Sequence, residues 1–175
     1  MFQVVDFILN FDQHLGFFVQ NYGVFVYGIL FLIVFIETGL VVMPFLPGDS
    51  MLFIAGTFAA AGLLNIWVLI IILFLAAVIG DASNYWIGKF FGEKVFMKWI
   101  KPTHIEKTKV FYEKHGKKTI VLARFAPIVR TIAPFVAGVG KMKYTTFLAY
   151  NLIGGFLWVL AFSLGGYLFG NIPWV

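Results

Sequence analysis

The chain of 175 residues contains no cysteine. This absence excludes a disulfide scaffold, thiol catalysis and cysteine-ligated zinc or iron–sulfur centres. Charge is also scarce, because Asp, Glu, Lys and Arg make up 12% of the chain, against about 25% in a soluble domain. Hydrophobic residues make up 61%. This composition excludes a water-soluble globule and a disordered chain, and it indicates one domain in a lipid bilayer.

Positive charge is absent from the first half of the chain. Residues 1–88 contain no Lys or Arg and five acids, whereas residues 89–175 contain all 13 basic residues and three acids. The two parts therefore carry net charges of −5 and +10. Most of the basic residues lie in residues 89–118, between apolar segments, which favours membrane topology over nucleic-acid binding. We therefore expect a basic cytoplasmic segment at 89–118 and no nucleic-acid partner.

The first 21 residues are mostly apolar, with their polar side chains on one narrow stripe. This spacing predicts an amphipathic helix over residues 1–21 that lies in the membrane interface. An ordinary packed helix is the alternative. No basic n-region opens the chain, so we expect no cleaved signal peptide.

Residues 22–64 consist of two apolar arms around a polar centre rich in proline and glycine, residues 37–50. As a helix, each arm would be about 22 Å long, which is short of the roughly 30 Å hydrocarbon core of a bilayer. The pattern favours a re-entrant hairpin, and two complete spans are the alternative. Residues 119–143 have the same character, with two prolines and two arginines in an apolar stretch. We predict a second re-entrant hairpin there.

The apolar segments 65–88 and 144–172 are each long enough for a transmembrane helix. Each half of the chain then consists of a hairpin followed by a span, and the two hairpins enter from opposite faces. The sequence thus predicts an all-α membrane protein built as an inverted repeat, an architecture typical of transporters. The repeat is marked by Ala-Gly at 55–56 and 137–138 and by Gly-xxx-Gly at 88–92 and 166–170.

Four ionisable residues of the predicted hairpins lie at membrane depth: Glu37, Asp49, Arg124 and Arg130. Each costs about 2.5–3.5 kcal/mol at the centre of a membrane helix, so they must pair or line a wet cavity. Because the first hairpin carries the acids and the second the arginines, they can neutralise each other across the repeat interface. A purely structural ion-pair cluster is one interpretation.

A binding site is the other interpretation of these charges. Guanidinium groups suit bidentate phosphate recognition, and the N-termini of broken helices favour an anion. Arg124 and Arg130 are therefore the candidates for substrate binding. A carboxyl group in a low dielectric is harder to ionise, so Glu37 and Asp49 are the candidates for proton uptake. Asp81, near the predicted end of the first span, is either a helper of this site or a hydrated interfacial residue.

Motifs for catalysis are absent from the sequence. There is no His-Glu-x-x-His zinc motif and no Gly-x-Ser-x-Gly elbow, and no nucleophile and base are spaced for a membrane phosphatase. We therefore expect no enzyme, no cofactor and no metal. The tryptophans are interpreted mostly as interface anchors: Trp67, Trp86, Trp99, Trp158 and Trp174.

Four long motifs carry a family resemblance that covers nearly the whole chain. They are Glu-Thr-Gly-Leu-Val-Val-Met-Pro-Phe-Leu-Pro-Gly-Asp-Ser at 37–50, Gly-Asp-Ala-Ser-Asn-Tyr-Trp-Ile-Gly-Lys-Phe-Phe-Gly at 80–92, Phe-Tyr-Glu-Lys-His-Gly at 111–116, and Ala-Arg-Phe-Ala-Pro-Ile-Val-Arg-Thr-Ile-Ala-Pro-Phe-Val-Ala-Gly at 123–138. The sequence resembles the DedA family. The resemblance implies a bacterial inner-membrane protein of the same superfamily as the eukaryotic lipid scramblases with a VTT domain.

Members of that family are implicated in translocating undecaprenyl phosphate or phospholipids, with a proposed dependence on the proton-motive force. The resemblance also implies that Glu37, Asp49, Arg124 and Arg130 are the functional charges. Family members usually continue into another apolar span and a basic tail, whereas this chain ends at Val175. The C-terminal topology is therefore open.

The sequence therefore predicts a proton-coupled lipid flippase. Its expected partners are a lipid phosphate headgroup, the membrane, and protons or a monovalent cation, and a homo-oligomer is left open. One alternative is a proton- or cation-coupled exporter of small amphipathic cations, with Glu37 and Asp49 as the cation site. The other alternative is a structural membrane-homeostasis protein that transports nothing.

Overall fold

The computed structural model describes residues 23–39, 48–99, 110 and 112–172, with the side chains of 93–99, 127 and 128 excepted. The predicted amphipathic helix at 1–21 lies outside these residues. In the described residues the chain is helical and contains no strand. The α-helices are α1 (Phe25–Gly39), α2 (Gly48–Ala60), α3 (Ile66–Trp99), α4 (Thr119–Ala123), α5 (Pro127–Val139) and α6 (Tyr144–Gly170).

Two helices are long and apolar enough to cross a membrane. They are the Ile66–Gly92 part of α3 and the whole of α6, each of 27 residues, or about 40 Å. Helix α3 continues to Trp99, well past the predicted end of the span at residue 88. Lys and Glu are good helix formers, so the helix continues where the hydropathy falls. Asp81 consequently lies near the middle of α3, and its predicted place near the end of the span was wrong.

The other helices are too short to cross a bilayer alone. Helix α1 has 15 residues, and α2 and α5 have 13 each, which gives about 20–22 Å against a core of roughly 30 Å. Helix α5 begins at Pro127, because proline has no N–H to lose and its fixed φ suits the first helical position. The residue before it, Ala126, is extended with φ −119° and ψ 102°.

Contacts with α3 show which part of its length α1 and α5 lie against. At the start of α3, the Asn65 N–H donates to the Tyr27 hydroxyl near the beginning of α1. At the middle of α3, the end of α1 approaches closely, since a Cβ on Gly39 would lie 3.4 Å from the Cα of Gly80. Helix α1 therefore runs from the start of α3 to its middle.

Helix α5 covers the second half of α3. Near the middle, the Asn84 side chain donates to the Thr131 carbonyl at 2.8 Å, and near the end Gly92 packs against Val139. The Tyr85 hydroxyl donates to the Met142 carbonyl after α5. The N-terminal end of α5 therefore lies at the depth reached by the end of α1, and this is the level of the candidate site.

The helices of the two halves pack across each other. Helix α2 packs along α6, and α5 packs along α3. A Cβ on Gly56 would lie 2.2 Å from the Ser163 carbonyl oxygen, and a Cβ on Gly138 would lie 2.1 Å from that of Tyr85. Backbone cannot yield to such a contact, so glycine is required at both crossings.

Candidate functional site

Arg130 joins two acids from the first half of the chain. It lies in the first turns of α5 and is 6% exposed. Its Nη2 donates to Glu37 Oε1 at 2.5 Å, and its Nη1 donates to Asp49 Oδ1 at 2.5 Å. Glu37 is buried near the end of α1, whereas the Asp49 side chain, in the first turn of α2, is 35% exposed. We call these three residues the Arg130 cluster, and Asp49 is its open side.

The first residue of α2, Gly48, lies directly against the Glu37 carboxylate. A Cβ on Gly48 would lie 2.0 Å from Glu37 Oε2, so a side chain there would displace the carboxylate. Glu37 and Asp49 consequently both lie at the N-terminus of α2, where the partial positive charge of the helix stabilises anions. The helix start and the Arg130 guanidinium together hold the two carboxylates close to each other.

Arg124 lies in a second, closed cluster. It is 1% exposed, and its Nη2 donates to Asp81 Oδ2 and to Asn151 Oδ1, both at 2.5 Å. The Asn151 amide in turn donates to the Val78 carbonyl at 3.1 Å. We call Arg124, Asp81 and Asn151 the Arg124 cluster. We expected the first-hairpin acids to neutralise both arginines. This holds for Arg130 alone, because Arg124 pairs with Asp81 of α3 instead.

Two glycines of α6 make room for the Arg124 side chain. A Cβ on Gly154 would lie 3.3 Å from Arg124 Nε, and a Cβ on Gly155 would lie 3.5 Å from Nη2. Among the described residues, Arg124 Nε and Nη1 and Asp81 Oδ1 have no hydrogen-bond partner. The closed cluster is thus neutral through its ion pair but retains unused donors and an unused acceptor.

Trp158 lies between the two clusters and was missed as a site residue. The sequence interpretation made it an interface anchor, but it is completely buried near the middle of α6. Its indole N–H donates to Asp49 Oδ1 at 2.8 Å. Its ring centroid lies 5.0 Å from Arg130 Cζ and 5.9 Å from Arg124 Cζ. The signal in the sequence was its place at the centre of an apolar span, far from either interface.

Asn84, like Asn151, is a buried polar residue that the sequence alone did not single out. It is fully buried on α3, and its amide donates to the carbonyls of Thr38 and Thr131, at 3.3 and 2.8 Å. Asn84 therefore joins α1 and α5 to the middle of α3. Its two bonding partners, Thr38 and Thr131, directly follow Glu37 and Arg130 in the chain. A buried amide in an apolar span needs such partners, and this need was readable from the sequence.

The open side of the Arg130 cluster continues into a groove between α2 and α6. The groove has a volume of about 260 Å³ and is open along one side. Its polar end contains Asp49, and its walls are mainly apolar. The lining residues are Asp49, Ser50, Phe53, Ile54 and Phe162.

Comparison with known proteins decides the family. The VTT domain matches residues 46–168, and the chain is 57% identical to Protein DedA of Escherichia coli (strain K12) over 178 residues, covering 98% of the chain and 81% of that relative. The chain belongs to the DedA family. This DedA-family protein therefore carries the VTT domain over more than half of its length.

Two more distant relatives are named as membrane proteins. The chain is 42% identical to the uncharacterized membrane protein ML0287 of Mycobacterium leprae over 147 residues, covering 82% of the chain and 66% of the relative. It is 34% identical to the inner membrane protein YqjA of Escherichia coli (strain K12) over 151 residues, covering 84% and 69%. No solved structure matches this DedA-family protein. With its two candidate spans, it is a membrane protein.

Proposed function

We propose that this DedA-family protein is a flippase that moves undecaprenyl phosphate or a related phospholipid across the bacterial inner membrane, coupled to protons. The observation that carries the proposal is the Arg130 cluster: a guanidinium shared by two carboxylates at the polar end of an open groove. A phosphate headgroup offers Arg130 the same bidentate acceptor geometry as a carboxylate. The protein acts as a transporter and not as an enzyme.

Proton coupling follows from the charges of the Arg130 cluster. With both carboxylates ionised, Arg130, Glu37 and Asp49 carry a net charge of −1, so a phosphate adds further negative charge to the site. A proton on Glu37 or Asp49 removes one negative charge and weakens that acid's hold on Arg130. Protonation therefore releases the guanidinium for the headgroup. Arg124 is the second arm of the phosphate clamp, and it joins Arg130 once Asp81 releases it.

The groove explains how a lipid reaches the cluster. The headgroup enters beside Asp49, while its hydrocarbon tail stays in the bilayer along the apolar walls, which include Phe53 and Phe162. Burying those tail atoms in the groove is no more favourable than leaving them among lipid tails. Affinity therefore comes mainly from the phosphate contacts, which suits a site that must also release its substrate.

Alternating access rests on two re-entrant hairpins, α1–α2 and α4–α5, that enter a multi-pass fold from opposite faces. Supporting this, α1 ends and α5 begins at the middle of α3. The glycine crossings also correspond: Gly138 follows Gly56 by 82 residues, and its carbonyl partner Tyr85 precedes Ser163, the partner of Gly56, by 78. Arg130 on α5 and Asp49 on α2 belong to different packed helix pairs, so breaking their contact frees one pair to move against the other.

The test is undecaprenyl-phosphate transport by the purified full chain in proteoliposomes with an imposed pH gradient. We expect Arg130→Ala to reduce transport by more than about tenfold because the headgroup loses its guanidinium partner. We expect a similar loss from Glu37→Gln because a glutamine side chain cannot take up and release the coupling proton. Lys118→Ala removes an exposed cation and is the control that keeps its rate. Undiminished transport by both site variants contradicts the proposal.

Arg130→Lys separates the flippase from a cation exporter. A phosphate clamp needs the planar fork of arginine, so we expect lysine to lose most of the transport activity. An exporter that uses Glu37 and Asp49 as its cation site needs only a counter-charge at this position, and it would keep its activity with lysine. The measurement is paired transport of undecaprenyl phosphate and of a quaternary ammonium cation by the same proteoliposomes.

A further inference from the structure

The Trp158 side chain contacts both arginine clusters. Its indole N–H donates to Asp49, and its ring lies 5.0 Å from Arg130 Cζ and 5.9 Å from Arg124 Cζ. Its side chain is completely buried, so water does not separate the ring from the two guanidinium groups. Tryptophan is the aromatic residue that attracts a guanidinium most strongly.

Trp158 and Arg130 donate to the same atom, Asp49 Oδ1. An indole N–H can only donate a hydrogen bond. It therefore stabilises the Asp49 carboxylate and does not bond to the guanidinium, which is also only a donor. When Arg130 leaves Asp49, the indole bond remains, and the carboxylate keeps a buried partner. Without that bond, Asp49 would lose its one neutral donor from α6, and its separation from Arg130 would cost more.

The ring of Trp158 acts on Arg130 from a different direction. A cation over a ring face is attracted through its own π face, which leaves the N–H groups in the guanidinium plane free for oxygen acceptors. The ring therefore holds the position of Arg130 while its hydrogen bonds change partner. Both contacts of Trp158 favour an exchange of acceptors over a fixed ion pair.

The geometry points to Trp158 as a positioning residue that sets how readily Arg130 exchanges Asp49 for a phosphate group. This inference rests on the proposed function and deepens it, because it names a residue that controls headgroup affinity without touching the headgroup. A purely structural role is the competing explanation, since Trp158 also belongs to the hydrophobic core formed by α1, α2, α3 and α6.

The test is a double-mutant cycle on farnesyl phosphate binding, measured by titration calorimetry with the full chain in detergent micelles. Trp158→Phe keeps a ring and removes the N–H. The bond to Asp49 is present before and after Arg130 leaves, and it strengthens when the carboxylate has no other charged partner, so we expect its loss to weaken binding by about three- to tenfold. In an Asp49→Asn background the N–H no longer supports a competing carboxylate, so the same change should weaken binding by less than about twofold.

Two further variants keep this test decisive. Replacing Trp158 with benzothienylalanine preserves the shape of the indole but removes its N–H, and it should reproduce the loss caused by Trp158→Phe without any packing change. Trp67→Phe makes the same substitution at a side chain that is 69% exposed, and it should leave binding unchanged.

Each remaining outcome overturns the inference. Equal weakening in the two backgrounds means that Trp158 acts through packing, and no weakening by either Trp158 variant means that its N–H is irrelevant. In both of these cases the proposed function survives, because the unmodified chain binds the probe. If the unmodified chain binds no farnesyl phosphate, the proposed function fails and this inference fails with it.

Discussion

At the scale of single residues, the charges of the two arginines in the membrane are neutralised in different ways. Arg130 shares two acids, one of which is partly open to a groove, whereas Arg124 is sealed against one acid and one amide. A cation that has a spare counter-ion can exchange partners. A cation with a single counter-ion in a closed site holds the fold together. The Arg124 cluster therefore holds the helices together in the observed conformation, and the Arg130 cluster is the part that can change partners first.

Asp81→Asn tests this difference. It leaves Arg124 buried without a counter-ion, and removing one partner of a buried pair costs about 3–5 kcal/mol. We expect the full chain in detergent micelles to lose stability by that amount in denaturant unfolding. Asp49→Asn is the matched control, since Arg130 keeps Glu37 and the Asp49 side chain is 35% exposed, and it should cost about 1 kcal/mol. Equal losses in the two variants would show that the clusters do not differ.

At the scale of helices, the decisive feature is close packing between halves at glycine. Gly166 of α6 lies against Phe53 of α2, and Gly88 of α3 lies against Phe135 of α5. Helix pairs in lipid gain little from the hydrophobic effect, so they rely on van der Waals packing at small residues. The two crossings hold α2 to α6 and α5 to α3, and thereby bring Asp49 and Arg130 to the same depth.

Gly166→Ala should separate α2 from α6. Its Cβ would lie 1.9 Å from the Phe53 carbonyl oxygen, and backbone cannot move aside as a side chain can. We expect a loss of about 1–3 kcal/mol in unfolding, as for other overpacked sites, together with reduced lipid transport. Gly28→Ala is the control, because a Cβ there meets nothing within 4 Å. If both variants unfold alike, the crossing is not close in the membrane.

At the scale of the whole molecule, charge and hydropathy predicted the class of protein and the meeting of Arg130 with Glu37 and Asp49. The cost of a buried charge says that each charge needs a partner, but it does not say which one. The sequence therefore does not predict the pairing of Asp81 with Arg124, since the position of Asp81 along the span depends on where α3 ends. Trp158 was misassigned because interface preference is a statistical rule, and only three-dimensional contacts reveal an indole N–H turned to Asp49.

Three described lysines lie at one end of the molecule. Lys89 lies in the last turn of the Ile66–Gly92 span, and Lys141 and Lys143 precede α6. The hydroxyl of Tyr85 meets the Met142 carbonyl, so these lysines share one end. The turn between α2 and α3, residues 61–65, lies at the other end and carries no charge. The positive-inside rule predicts that the basic end faces the cytoplasm.

A chain without native cysteine allows this orientation and the hairpin depth to be tested by single substitutions in intact cells. Ala61→Cys, in the turn before α3, should react with a membrane-impermeant maleimide from outside, whereas Lys118→Cys should react only after the membrane is permeabilised. Ser50→Cys, in the first turn of α2, separates a re-entrant hairpin from two complete spans. In a re-entrant hairpin this residue lies at mid-membrane depth and should react more slowly than both. If α1 and α2 were complete spans, Ser50→Cys would lie at the cytoplasmic surface and react as Lys118→Cys does, and the opposed hairpins on which alternating access depends would be lost.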